Sequence, residues 1–245
     1  MTAVGFLYPG RSAEDDYPRI EQLLGSDIRL ALVHTDIGED AHRVDALLEM
    51  GSAARLAAGV EELRLSGAEA VVWACTSGSF VFGWDGAHDQ VRSLAKAAGL
   101  PASSTSFAFA HAIRELGAAR VAIAATYPED VAAHFREFLQ ADGVEVVSMR
   151  GSGIITAAEV GTWGWDEVLA LARAGDHPDA QAVLLPDTAL HTGAYVRDLE
   201  SELDKPVLTA NQVTVWEALR LVGRRVNAPA LGALFTKEPL IQVPG

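Results

Sequence analysis

The sequence predicts an α/β protein with mainly parallel β-sheets, arranged as two similar halves. Short apolar runs alternate with amphipathic helical stretches along the 245 residues, which is typical of parallel α/β folds. Apolar residues make up 49% of the chain and charged residues 21%, a balance that allows a full hydrophobic core. In addition, a pair of strand motifs near the start recurs in the second part of the chain.

Seven apolar runs predict the strands, which in chain order lie at 4–8, 28–34, 70–75, 119–125, 144–149, 182–186 and 206–210. Segments rich in Ala, Leu, Glu and Arg predict helices between them, at 44–67, 90–99, 106–117, 129–143 and 194–204. The stretch 206–223 predicts a strand that leads into a final helix. Glycine commonly follows the last turn of a helix, and predicted ends are marked by Gly67, Gly99, Gly117 and Gly143.

Two motifs recur at comparable spacing. VGFLYPG at 4–10 resembles VAIAATYPE at 121–129, because each is an apolar strand that ends in Tyr-Pro. VVWACTSGS at 71–79 resembles VLLPDTALH at 183–191, because each strand precedes one reactive side chain, then Thr and small residues. The common order indicates an internal duplication, with chance similarity of buried strands as the alternative.

Two such halves would bring their strand ends to a shared cleft. Open α/β sheets bind ligands beyond the carboxyl ends of their strands. The residues expected at these ends are Tyr8, Cys75, Tyr127 and Asp187.

Charge and composition exclude several functions. A net charge of −14 and a pI near 4.8 argue against nucleic acid or an anionic membrane as partner. The single cysteine excludes an internal disulfide and favours a cytoplasmic protein. No apolar run approaches the roughly 20 residues of a membrane span. The seven histidines show no metal-ligand spacing and no nucleotide-binding loop is present, so we expect neither a metal nor another cofactor.

Cys75 is the candidate nucleophile, and it precedes Thr76, Ser77, Gly78 and Ser79. At a strand-to-helix junction, free backbone N–H groups and the helix dipole lower the pKa of a thiol and favour the thiolate. The same N–H groups, with the hydroxyls of Thr76 and Ser77, suit a substrate carboxylate. The alternative is an inert buried thiol, since free cysteine is among the most buried residue types.

Asp187 occupies the matching place in the second half. A carboxyl group that faces a thiol across a cleft can act as general acid or base, although an Asp that caps the next helix is the alternative. Tyr127 is a candidate hydroxyl donor to an anionic substrate, with a half-buried core ring as the alternative. Tyr8 and Thr188 complete the set of candidate substrate-binding residues.

The ordered set YPG, ACTSGS, ATYPEDV, LLPDT and LTANQVTVWEALRLVG resembles the aspartate/glutamate racemase superfamily, and within it the branch of maleate cis-trans isomerases and arylmalonate decarboxylases. The resemblance covers roughly residues 4–234. It implies two flavodoxin-like halves related by pseudo-two-fold symmetry, with a cofactor-free active site between them. The halves are expected at 1–103 plus 213–245, carrying Cys75, and at 104–212, carrying Asp187.

The resemblance also assigns roles. Cys75 matches the first-half cysteine of the family, and Thr76, Ser77 and Tyr127 match its carboxylate-binding residues. Asp187 stands where the second-half cysteine belongs, which puts a two-thiol racemase in doubt. The decarboxylase mechanism is also in doubt, because its protonating cysteine is the missing one.

The interpretation that remains is a cofactor-independent isomerase of a small, maleate-like carboxylic acid. The Cys75 thiolate would add to an activated alkene, and Asp187 would move the proton. The alternatives are a racemase, epimerase or decarboxylase on the same scaffold, or a protein that binds a small acid without chemistry. A homo-oligomer stays open as well.

Overall fold

In a computed structural model, which describes residues 1–25 and 27–236, the chain forms two parallel four-stranded sheets flanked by helices. The first sheet contains β1 (Thr2–Pro9), β2 (Ile28–Thr35), β3 (Val71–Trp73) and β4 (Ala102–Ser104), in the order β2-β1-β3-β4. The second contains β5 (Arg120–Ala125), β6 (Glu145–Gly151), β7 (Ala182–Leu185) and β8 (Val207–Thr209), in the order β6-β5-β7-β8. The repeated order confirms the predicted α/β fold of two similar halves.

One or two α-helices follow each strand. They are α1 (Asp16–Leu24), α2 (Val44–Met50), α3 (Ala53–Leu63), α4 (Ser77–Phe80), α5 (Gly83–Ala98), α6 (Thr105–Leu116), α7 (Glu129–Ala141), α8 (Ala157–Val160), α9 (Trp165–Gly175), α10 (Val196–Leu203) and α11 (Ala210–Leu221). Two short 3-10 helices follow at Pro229–Leu231 and Ala233–Phe235. Within the described ranges, no helix is both long enough and apolar enough to cross a membrane.

The sequence missed one strand. The three residues of β4 are Ala-Ser-Ser, and they lack the apolar run on which strand prediction depends. The strand forms because its backbone continues the first sheet beside β3, and Ser103 and Ser104 are buried there. The Ser104 hydroxyl accepts a hydrogen bond from the Phe107 N–H at 3.5 Å and so caps α6.

The predicted helix at 44–67 is in fact two helices that meet at Gly51. A Cβ atom on Gly51 would lie 2.2 Å from the carbonyl oxygen of Gly78, so only glycine permits this contact. The end of α2 is therefore packed directly on the short helix that follows Cys75. The prediction that Gly67 ends the helix was wrong, because α3 already ends at Leu63.

Gly99 and Gly117 end α5 and α6 as predicted, with left-handed φ angles of +66° and +69°. Such angles favour glycine, which has no Cβ to clash with the preceding carbonyl.

One apolar core extends across both sheets. The Phe80 ring, from the first half, lies 5.9 Å from the Tyr127 ring and 5.3 Å from the Phe135 ring, both in the second half. The expected division into 1–103 plus 213–245 and 104–212 stays a prediction, and its residues 237–245 lie outside the described part of the chain.

Candidate functional site

The two candidate catalytic residues lie at the carboxyl ends of central strands. Cys75 follows β3 and Asp187 follows β7, and the two side chains line the same cavity between the sheets. Of the other predicted site residues, Tyr8, Ser77 and Thr188 also line this cavity. Its volume is about 30 Å³, which holds a water molecule or two but no organic acid. The structure therefore shows the site closed.

The thiol of Cys75 is 3% exposed and is held by the turn into α4. The Gly78 N–H donates to its sulfur at 3.2 Å, and the Ser77 hydroxyl lies 3.7 Å from it. A Cβ atom on Gly78 would lie 3.2 Å from the Cys75 sulfur, so glycine keeps this approach open.

The prediction that the strand-to-helix junction lowers the pKa of the Cys75 thiol was wrong for the closed site. Burial raises the pKa of Cys75 to about 12, and the charge of Asp187 acts in the same direction. The hydrogen bonds from Gly78 and Ser77 lower it, as predicted, but by less than burial raises it. A thiol in this state is protonated at neutral pH and needs a base, or a change in its surroundings, to become nucleophilic.

The carboxyl group of Asp187 is 4% exposed and has a donor on each oxygen. The Thr126 hydroxyl donates to Oδ2, and the Ala189 N–H donates to Oδ1 at 2.9 Å. The second bond closes a tight turn, and the next helix, α10, begins only at Val196. The helix-capping alternative is therefore wrong, and the carboxylate instead holds its own loop at the cavity wall.

Tyr127 lies behind the cavity wall rather than in it. Its hydroxyl donates to the carbonyl of Pro186 at 2.9 Å, directly before Asp187. Burial raises the pKa of Tyr127 well above its usual value, and Asp187 and Cys75 raise it further. The hydroxyls of Ser77 and Thr76 act in the opposite direction.

Thr76 is also fully buried, and its hydroxyl has no hydrogen-bond partner within the described ranges. A buried hydroxyl without a partner is costly, so this group has a donor to offer to a ligand that reaches it.

Tyr8 joins the two halves. Its hydroxyl donates to the carbonyl of Thr188 at 2.9 Å and accepts from the Ala13 N–H at 3.0 Å. Burial raises its pKa, which keeps the phenol neutral. Both bonds are internal, so the structure shows Tyr8 as a support for the Asp187 loop, and substrate binding by its hydroxyl stays a prediction.

A second support for this loop was missed in the sequence. The buried carboxylate of Asp16, on α1, accepts from the N–H groups of Thr192 and Gly193 at 2.8 and 3.0 Å. The amide of Asn211, on α11, donates to Asp16 at 3.1 Å and to the Thr188 carbonyl at 3.2 Å. Asp16 is part of an ordinary acidic loop in the sequence, and only the three-dimensional fold brings it to this place.

Two segments, which we call the clasp, cover the cavity: residues 36–43 after β2 and residues 152–158 after β6. The Asp40 carboxylate accepts from the N–H groups of Ala157 and Ala158 at 2.7 and 3.0 Å. The His42 N–H donates to the Ile155 carbonyl at 2.8 Å. The two clasp segments follow β2 and β6, whose carboxyl ends lie at the same edge as Cys75. Their position after these strands was the signal in the sequence that could have predicted a cover for the site.

The ring of His42 belongs to both the clasp and the cavity wall. Its Nδ1 lies 2.8 Å from the Ile154 carbonyl, which can only accept, so Nδ1 carries the hydrogen. The ring meets the Tyr127 ring edge-on at 4.9 Å.

Positive charge is missing from the wall of the cavity as far as the structure describes it. Arg11, in the loop after β1, lies 3.4 Å from His34 and does not line the cavity. Among the described residues there is also no cluster of His, Cys, Asp and Glu that could hold a metal ion.

The chain is similar to known proteins in sequence and in fold. The family model described as arylmalonate decarboxylase matches residues 50–235. The arylmalonate decarboxylase of Bordetella bronchiseptica is 30% identical over 150 residues, which cover 60% of this chain and 62% of that protein. A maleate isomerase of Nocardia farcinica is 26% identical over 189 residues, covering 74% and 75% of the two chains.

A solved structure of a Nocardia farcinica maleate cis-trans isomerase variant, with a covalently bound succinylcysteine intermediate, superposes with a TM-score of 0.88. It is 22% identical, and the match covers 97% of this chain and 99% of that one. At this identity the likeness shows the shared fold.

Proposed function

Because this chain belongs to the arylmalonate decarboxylase family, we propose that it is an enzyme that isomerises a small unsaturated carboxylic acid through Cys75. The relatives are enzymes of small carboxylic acids, and they include both isomerases and decarboxylases. The observation that carries the proposal is the pairing of one thiol with one carboxylate on a single closed cavity.

The groups of the site that can carry a proton, Cys75 and Asp187, fit this reaction. In the resting site the thiol is protonated, because burial raises its pKa. Asp187 takes that proton as the Cys75 sulfur forms a bond to one alkene carbon. The π electrons move to the neighbouring carbon, which then receives the same proton from Asp187. Rotation about the new single bond, return of the proton to Asp187, and loss of the thiolate give the other geometric isomer. Transfer of the proton from Asp187 back to the Cys75 thiolate then restores the resting site. One proton serves the whole cycle, so no cofactor is required.

The substrate carboxylate would lie against Ser77 on the cavity wall, with Thr76 and Tyr127 behind it as further donors once the wall moves. A donor at Ser77 stabilises charge that spreads into the carboxylate when sulfur adds, and Tyr127 would give up its bond to the Pro186 carbonyl to join it. The unpartnered hydroxyl of Thr76 supports a binding role. The clasp would open for entry and exclude water once closed.

The test is a screen of cis and trans pairs of small unsaturated acids, followed by proton NMR. The wild-type chain should interconvert one pair, and intact-mass spectrometry should show an adduct of substrate mass that Cys75→Ser lacks. Interconversion by Cys75→Ser at the wild-type rate would rule the covalent mechanism out.

A racemase or epimerase that uses one thiol and one carboxyl group is the second candidate, because Cys75 and Asp187 come from opposite sheets onto one cavity. It predicts exchange of the substrate α-proton with solvent deuterium, without geometric isomerisation. Release of carbon dioxide from a substituted malonate would instead indicate a decarboxylase, and binding without turnover a non-catalytic protein.

A further inference from the structure

We propose that Gln90 is a positioning residue that ties the Cys75 turn to the clasp, so that the clasp cannot open without moving the turn that holds the thiol. The inference rests on the proposed function in so far as it takes Cys75 as the nucleophile.

Gln90 lies on α5 and is buried where two other helices meet. Its Nε2 group donates to the carbonyl of Gly51 at 2.8 Å and to the carbonyl of Gly78 at 2.8 Å. The two hydrogens of one amide group therefore join two segments that are distant in sequence. An amide oxygen in that place would face two carbonyl oxygens, so hydrogen bonding requires this orientation of the side chain.

The first of these segments is the continuation of the clasp. Clasp residues 36–43 lead directly into α2, and Gly51 follows the last residue of that helix. The last carbonyls of a helix have no partner within it, and Gln90 supplies one to Gly51. A Cβ atom on Gly51 would lie 2.2 Å from the Gly78 carbonyl oxygen and 2.7 Å from the Gln90 amide nitrogen. The end of α2 therefore contacts both partners directly.

The second segment is the turn that holds the thiol. The Gly78 N–H donates to the Cys75 sulfur at 3.2 Å. The Gly78 carbonyl accepts from Gln90 and also from the indole N–H of Trp73, which lies 3.2 Å away. Both lone pairs of this carbonyl are then used, which fixes its direction. A displacement of this carbonyl would also move the N–H group that faces the sulfur.

Packing between the two segments acts in the same direction. Met50 is the last residue of α2 and lines the cavity, and its Cε atom lies 3.1 Å from the position of a Cβ on Gly78. Side chains in a protein interior are close-packed, so a shift of α2 is passed on to its neighbours. Opening of the clasp for an organic acid would therefore act on the Cys75 turn through α2.

The polarity of Gln90 has a cost that packing alone does not explain. Its own carbonyl oxygen is buried and has no hydrogen-bond partner within the described ranges. An apolar side chain of similar size would avoid this cost. The amide at this position is therefore explained by its two donor bonds.

The test measures the clasp and the thiol separately in Gln90→Met, which keeps the length of the side chain and removes both donors. Hydrogen exchange at residues 155–159 reports opening of the clasp, and iodoacetamide labelling at constant pH reports access to Cys75. Both are measured on the full chain without substrate. We expect both rates to rise about threefold to tenfold, the range for a lost hydrogen bond. The two factors should agree within about twofold, because one opening motion controls both.

Gln212→Met is the matched control. Gln212 is also buried, its Nε2 group donates to the Leu231 carbonyl at 2.7 Å, and neither residue lines the cavity. This variant should lower the thermal unfolding midpoint, as Gln90→Met does, but leave both rates unchanged. Gln90→Asn keeps an amide but shortens its reach by one methylene group. It should behave like Gln90→Met, and it carries the test if the methionine variant does not fold.

The outcomes separate the inference from the function on which it rests. A rise in only one of the two rates, a rise in neither, or an equal rise in Gln212→Met would overturn the tie between the clasp and the thiol. None of these results bears on turnover, because no substrate is used. A rise in both rates, with no turnover of any acid in the screen, would overturn the proposed function and leave the tie in place.

Discussion

The ends of β3 and β7 occupy equivalent places in two sheets of the same order, yet they are built differently. After β3 the chain turns at once into the short helix α4, whose Gly78 N–H points at the thiol of Cys75. After β7 the carboxylate of Asp187 closes a turn on its own loop, with Thr126 as its second donor. The first end holds a buried thiol against a helix N–H group, and the second holds a buried carboxyl group against its own loop.

The comparison shows how two halves with the same strand order can differ in the side chains at their strand ends without a change of fold. The supports around Asp187, from Tyr8, Asp16 and Asn211, come from the opposite half or from the final helix. They fix the loop backbone and not the side chain, so the identity of the reactive group can change while its position stays constant. The predictions below separate the roles of the two ends.

Replacing the nucleophile should have the largest effect. Cys75→Ser removes the thiol and keeps the size of the side chain, and a serine hydroxyl adds poorly to an alkene. We expect isomerisation to fall by at least about a thousandfold. Proton NMR of the active acid pair measures the rate, and an unchanged thermal unfolding midpoint shows that the fold is retained. A loss below tenfold would assign the chemistry to another group.

Removing the charge at the other end should separate activity from thiol reactivity. Asp187→Asn should lower the rate by about a hundredfold or more, because the amide cannot carry the proton. The same change should lower the pKa of Cys75, since the charge of Asp187 now raises it. Iodoacetamide labelling followed against pH should therefore show the thiol titrating at a lower pH in the variant than in the wild-type chain. An unchanged or higher apparent pKa would contradict the electrostatic coupling of the two ends.

The bridge between the two ends should have a smaller effect. Tyr127→Phe removes the bond to the Pro186 carbonyl and one hydroxyl from the expected carboxylate-binding group. We expect kcat/KM to fall about tenfold, the range for a lost hydrogen bond to a charged group. Steady-state kinetics on the active acid would measure it. The matched control is Tyr195→Phe, which alters a tyrosine that packs against Trp165 and lies outside the cavity. Equal losses in both variants would indicate a structural effect only.

Much of the fold was predictable because apolar periodicity is local. Every predicted strand exists, since each carries enough apolar side chains to be recognised without its neighbours. The strand that was missed, β4, depends on its position beside β3 and is nearly invisible in its own three residues. The break at Gly51 was missed for the same reason, because it depends on a contact with Gly78, which is distant in sequence.

The candidate site was predictable to the same extent. Cys75, Ser77, Asp187 and Thr188 were found because they follow recognisable strands at a common edge. The thiol pKa was predicted in the wrong direction, because burial depends on what covers the site. The covering clasp is a loop in the sequence, and the partners that fix it lie more than one hundred residues away.

A change in the clasp should have the smallest effect. The clasp tests the comparison of the two strand ends indirectly, because its two segments come from the two halves. Asp40→Asn keeps the size of the side chain but removes the charge that binds the N–H groups of Ala157 and Ala158. A charged acceptor binds such groups more strongly than a neutral one, so we expect a threefold to tenfold loss of kcat/KM, at about 1 kcal/mol. Hydrogen exchange at residues 155–159 should become faster in the variant.

Asp45→Asn, an exposed residue beside the clasp that pairs with Arg43, is the control and should change neither readout. Unchanged exchange in Asp40→Asn would show that the clasp is held by the His42 contacts instead, and that the two ends are enclosed independently of this carboxylate.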